Sequence, residues 1–112
     1  KAKVIILDLP GFGRSLGEPK TSIATMAQEI ASLLDSIKVT EPAMIAGLSM
    51  GGYAALEFFR QFPKRVKALG LFSTRAGADT PEAQEKRLKT AEQIQKDGLE
   101  AFAQKILPSL VG

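Results

Sequence analysis

Apolar residues fall along this chain in two alternating rhythms. Short unbroken runs occur at 4–7 (VIIL), 43–48 (AMIAGL) and 67–73 (KALGLFS). The length and the Val/Ile content of the first suit a strand buried on both faces, as parallel strands are, and the other two read as short apolar strands. Between them the spacing changes. Ile23, Met26, Ala27, Ile30, Leu33, Leu34 and Ile37 recur at intervals of three and four, which predicts an amphipathic helix over 21–39 with Thr21 or Ser22 as its cap. Residues 50–62 (MGGYAALEFFRQF) predict a second helix with little polar surface, stopped by Pro63. Thr80 followed by Pro81 marks a third helix start. A charged helix is expected from there to about Asp97, ended by Gly98, and a short last helix over 99–107 is closed by Pro108.

Strands alternating with helices read as βαβ units on a parallel sheet. The expected fold class is α/β: a short parallel sheet of about three strands with crossover helices in 1–79, then a helical segment in 80–112, the whole forming one compact domain. The glycines and prolines of 8–20 (DLPGFGRSLGEPK) predict a loop after the first strand.

Composition narrows the partners. The chain has 112 residues, 45% hydrophobic and 24% charged, which suits one globular domain and excludes a disordered one. Net charge is +3, but the basic residues are scattered among acids, without a readable motif or stacking aromatics. Nucleic acid is therefore not an expected partner. There is no cysteine and no histidine, so no disulfide and no metal site is expected. No apolar run approaches the roughly 18 residues a membrane span needs. As a signal peptide the opening KAKVIILDLPG fails, because Asp8 and Pro10 end a short apolar run. A cytoplasmic protein is expected. The chain opens without methionine on a core-like run, as an internal segment of a longer chain would.

The stretch GLSMG (47–51) fits the pattern G-x-S-x-G. By chance such a match would occur in about one chain in twenty-five of this length. The context raises it well above that: an apolar strand precedes it and a helix follows, as a nucleophile elbow requires. At such a turn the backbone of Ser49 is strained and its hydroxyl stands above the strand end, while Gly47, Gly51 and Gly52 let strand and helix approach. The N–H of Met50 and the positive end of the helix then face a developing oxyanion. The plainer alternative is that the glycines serve packing and Ser49 caps the helix.

The chain resembles an internal segment of an α/β-hydrolase of the esterase, lactonase and haloperoxidase-like type. VIILDLPGFGRS resembles the family's strand followed by D-x-x-G-x-G-x-S, with Asp8, Gly11, Gly13 and Ser15 at the matching places. MIAGLSMGGYAAL resembles its nucleophile elbow, and RVKALGLFSTRAGADTPEAQEKR resembles the next strand and the entry into the lid. The resemblance implies Ser49 as nucleophile, Met50 N–H as one oxyanion donor, and Asp8, Gly11 and Gly13 as a non-catalytic loop near the site. It implies acyl hydrolysis of a small ester, thioester or lactone, with no cofactor. It also implies that the histidine, the acid and the second oxyanion donor lie outside residues 1–112, so the chain alone is expected to be catalytically incompetent. Asp79, just after the third strand, stands where some members carry the acid, but is read as a solvated residue beside the Thr80 cap.

Two other functions compete with this reading. One is a non-catalytic folding or assembly module, made by truncation or design. The other is a Rossmann-like nucleotide-binding unit, suggested by Gly11, Gly13 and Gly17. G-x-G-x-x-G fails here because Leu16 holds the last glycine's place and Pro19 breaks the helix that should open. As partner, a second copy or a complementing chain is expected. In the family fold, a strand outside this segment separates 4–7 from 43–48, and both crossover helices lie on one face. Leaving the other face in water would forfeit about 1.5–3 kcal/mol per large apolar side chain. A homodimer with a mainly apolar interface is the expected outcome.

Overall fold

A computed structural model describes residues 3–18 and 22–111. Thr21, Pro19 and the end of the expected loop lie outside the described residues. The chain divides into two compact units, Lys1–Ala76 and Gly77–Gly112.

The first unit carries α1 (Ile23–Ser36), β1 (Ala43–Leu48), α2 (Met50–Gln61), a single 3-10 turn (Pro63–Arg65) and β2 (Val66–Phe72). Ser22 caps α1, its hydroxyl accepting from the Thr25 N–H at 3.0 Å. The apolar spacing of α1 buries Met26, Ala27, Ile30, Ala31 and Leu34 on one stripe. The helix stops in a Schellman motif: Val39 N–H reaches Leu34 O at 2.8 Å and Lys38 N–H reaches Asp35 O at 3.0 Å. The left-handed residue of that motif is Lys38, φ 58°, where glycine is usual. Contact of Val39 with the core offsets that strain. Arg65 seals the same end, pairing with Asp35 at 2.7 Å and donating to Val39 O at 2.9 Å.

β1 and β2 run parallel, with Ile45 opposite Leu69 and Leu48 opposite Phe72. With α2 between them they make one βαβ unit. Small residues on α2, Gly52, Ala54 and Ala55, are buried beside Phe58, so the helix lies close to its neighbours. The core joins Ala54 and Phe58 of α2 to the α1 stripe, with Ile45 and Val66 from the sheet and Leu7 and Leu9 from the opening segment packed on it. The sheet's other face carries exposed apolar side chains. Met44, Leu48 and Phe72 are 70, 66 and 59% exposed.

Two sequence expectations need correction. The sheet has two strands, not about three, because 4–7 adopts no regular secondary structure. A branched apolar run favours extended backbone, but a strand is a property of a pair and exists only where a ladder partner does. Among the described residues no strand pairs with 4–7, and Ile6 stands 91% exposed. The second correction concerns Pro108, which lies inside the last helix rather than closing it. Proline here forfeits one hydrogen bond in the final turn, where the helix is already fraying.

The second unit holds α3 (Pro81–Asp97) and α4 (Leu99–Leu110). Thr80 caps α3, accepting from Ala83 N–H at 3.3 Å. Gly98, φ 86°, makes the turn between the two helices. Neither helix contains a buried residue. No helix among the described residues is long and apolar enough to cross a membrane.

Candidate functional site

The last residue of β1 is Leu48 and the first of α2 is Met50, so Ser49 alone turns strand into helix. It does so at φ 52°, ψ −114°, a conformation that L-residues other than glycine rarely adopt. Its N–H donates to Phe72 O at 2.9 Å, continuing the sheet one residue past the strand. Its carbonyl accepts from Gly52 N–H at 2.9 Å and from the Thr74 hydroxyl at 2.9 Å. The side chain makes no capping bond and the residue is exposed. A serine N-cap has extended backbone and bonds the second or third helical N–H. Ser22 behaves that way and Ser49 does not, so the helix-cap alternative fails on geometry.

The glycines divide by role. A Cβ on Gly47 would overlap the Gly51 carbonyl, and one on Gly52 would overlap the Thr74 side chain. Strand and helix therefore meet at Gly47, and the end of β2 meets the helix at Gly52. A Cβ on Gly51 would meet nothing within 4 Å.

Met50, as the first helical residue, has an N–H without an intrahelical acceptor. The first turn of α2 carries no acidic residue, whereas those of α3 and α4 carry Glu82 and Glu100. The positive end of α2 beside Ser49 thus meets no carboxylate from its own first turn.

Asp8, Gly11 and Gly13 form a turn of their own. The Asp8 carboxylate accepts from Arg14 N–H at 3.0 Å, and Gly13, φ 53°, lies so close to that carboxylate that a Cβ would collide with it. Gly11, φ 83°, supplies the preceding left-handed step. Asp79 pairs with Arg87 at 2.5 Å in the second unit. Among the described residues no cluster of acids could hold a metal ion. A depression of about 770 Å³ between α3 and α4 is lined by charged side chains with Phe102 and Ile106 and includes no expected site residue.

Thr74 was not foreseen. No motif marks it, and its bond to Ser49 spans 25 residues of chain. It reaches back because Ser73 turns the chain at φ 45°.

This geometry matches known proteins. The model of the alpha/beta hydrolase fold matches residues 1–109. A putative 2-succinyl-6-hydroxy-2,4-cyclohexadiene-1-carboxylate synthase of Bacillus subtilis is 34% identical over 108 residues, covering 90% of this chain and 39% of that protein. A homoserine O-acetyltransferase of Thermus thermophilus is 44% identical over 62 residues, covering 54% of this chain and 16% of that protein. Among solved structures, a thermophilic esterase from Thermogutta terrifontis superposes with a TM-score of 0.79 at 38% identity, covering 90% of this chain and 38% of that one. The chain thus spans about two-fifths of the first relative and of the esterase. The strand–turn–helix around Ser49, the turn at Asp8 and the match along almost the whole chain lead to one conclusion: this chain belongs to the α/β-hydrolase family.

Proposed function

We propose that Ser49 is the nucleophile of a serine hydrolase acting on a small carboxylic ester, thioester or lactone. The observation that carries this is the backbone of Ser49: a strained, exposed serine whose hydroxyl is not spent on capping the helix it opens. Strain of this kind, about 1–3 kcal/mol, persists only where the surroundings impose it. The esterase and the O-acetyltransferase among the relatives both act on acyl groups.

In this reading Ser49 Oγ attacks the carbonyl carbon of the substrate, and the electron pair of that carbonyl moves to oxygen. Met50 N–H and the positive end of α2 stabilise the resulting oxyanion. Collapse breaks the acyl–oxygen or acyl–sulfur bond, the proton taken from Ser49 passes to the leaving alcohol or thiol (tethered to the acyl group in a lactone), and the acyl-serine left is hydrolysed by water. A base must take the Ser49 proton, and these 112 residues contain no histidine. The chain alone is therefore a scaffold for the nucleophile rather than a working enzyme. Base, acid and second oxyanion donor would come from other segments.

The test has two arms. The chain alone should show no turnover of p-nitrophenyl acetate that Ser49→Ala abolishes; a Ser49-dependent rate typical of an esterase would overturn the claim of incompetence. In the second arm, segments carrying the histidine, the acid and the second oxyanion donor are fused to the chain. There Ser49→Ala should lower kcat by at least about 10³-fold. A serine-to-alanine variant that keeps its rate would remove Ser49 from the mechanism.

The exposed apolar side chains of Met44, Leu48 and Phe72 favour a second property, self-association of the isolated chain across Met44 and its neighbours. Light scattering should report a dimer that Met44→Glu dissociates. A monodisperse monomer that binds no apolar dye would sink it.

A further inference from the structure

We infer that Thr74 is the residue that aims the oxyanion donor, an inference that rests on the reading of Ser49 as nucleophile. The carbonyl of Ser49 and the N–H of Met50 belong to one peptide unit, which is planar. Whatever fixes the direction of that carbonyl fixes the direction of that N–H, pointing the opposite way. Two donors fix it here: Gly52 N–H from within α2 and the Thr74 hydroxyl from beyond β2, both at 2.9 Å. The first belongs to the helix and would turn with it. The second comes from a different element and ties the peptide to the sheet.

The surroundings are built around that bond. Phe72 O holds the N–H of Ser49 at 2.9 Å, so the end of β2 grips this residue on both its donor and its acceptor. Ser73, between the two gripping residues, takes a left-handed conformation at φ 45°. Two non-glycine residues with positive φ, Ser49 and Ser73, thus lie at the ends of adjacent parallel strands, and the bond from Thr74, next after Ser73, reaches the carbonyl of Ser49. Threonine fits the place twice over. Its hydroxyl donates to the carbonyl, while its Cγ2 methyl lies over Gly52, where a Cβ would collide with it. A hydrogen bond into the carbonyl also polarises the peptide and strengthens its N–H as a donor. Thr74 touches neither Ser49 Oγ nor any substrate atom in this scheme. It is a positioning residue.

The experiment compares Thr74→Val, which keeps the shape and removes the hydroxyl, with Thr74→Ser, which keeps the hydroxyl. The first readout is the amide ¹H–¹⁵N signal of Met50 in the chain itself. Thr74→Val should displace it and speed hydrogen exchange at Gly52, while Thr74→Ser should leave both near wild type. The second readout is turnover by the completed fusion described above. Thr74→Val should lower kcat about tenfold with KM within about twofold, a smaller loss than deleting an oxyanion donor outright, and Thr74→Ser should restore most of the rate. An unmoved Met50 signal in Thr74→Val overturns the inference. So does an unchanged kcat in a fusion that Ser49→Ala inactivates. If Ser49→Ala leaves the fusion active, the nucleophile reading falls, and the catalytic role of Thr74 falls with it.

Discussion

Helices α1 and α3 begin alike and are held differently. Each is capped by a hydroxyl that accepts from the N–H three residues on. α1 has 14 residues and buries five; α3 has 17 and buries none. α1 is fixed by what it packs against, a core shared with α2 and the sheet. α3 is fixed mostly by local terms: its cap, the Glu85–Lys89 pair at 2.6 Å, and the Asp79–Arg87 pair at its entry. Exposed pairs are worth about 0–1 kcal/mol each and a cap about 1 kcal/mol. Ile94, Phe102 and Ile106 add only half-buried apolar surface. The elbow is therefore mounted on the part of the chain that tertiary burial stabilises, and the helical pair after it opens at far lower cost.

The largest test of this contrast removes one phenylalanine from each unit. Phe58→Ala should cost about 3–5 kcal/mol in urea unfolding, since Phe58 is fully buried. Phe102→Ala should cost under about 1 kcal/mol and be felt only within 77–111. Equal losses would erase the contrast. Next come the elbow glycines. Gly47→Ala should cost about 1–3 kcal/mol through overlap with the Gly51 carbonyl, while Gly51→Ala should stay within about 0.5 kcal/mol of wild type. A smaller effect follows from the caps. Thr80→Ala and Ser22→Ala should each remove about 1 kcal/mol. The first should speed amide exchange across 81–97 alone; the second should lower the stability of the whole first unit. If Thr80→Ala slows or spares exchange in α3, local terms do not hold it.

The smallest effect is a titration. Glu57 is held down to about 2 from 4.5, chiefly by its hydrogen bond to Arg60 and then by Gln61. Gln61 also donates to Ala24 O at 3.1 Å, linking α2 to the first turn of α1. A depressed carboxyl pKa stabilises the folded state above its unfolded value and ceases to do so once it protonates. Stability should therefore decline as pH falls from 4.5 toward 2, and Glu57→Gln should flatten that part of the profile in an acid titration followed by circular dichroism.

What could be read from the sequence was what is decided locally. β1 is legible at 43–48 because a short apolar run bounded by turn residues has few alternatives. The turn at Ser49 was legible for the same reason, being set by Gly47 and the helix that starts at Met50. The segment 4–7 misled because strand propensity lies in the residues while a strand lies in the pairing. The end of α1 carried no glycine to announce it; Val39 and Arg65 make the motif tolerable at Lys38, and both act through tertiary contact. Thr74 was invisible because its bond closes a loop of 25 residues.

Ser49 also bears on how such a chain would drift. At φ 52°, ψ −114° glycine is at ease and serine is not. Ser49→Gly should relieve about 1–3 kcal/mol of backbone strain and return part of it through the greater freedom of an unfolded glycine. A breeding scheme that rewarded heat resistance alone would discard this serine early. A lineage that keeps it is under continuing demand for a hydroxyl at that place.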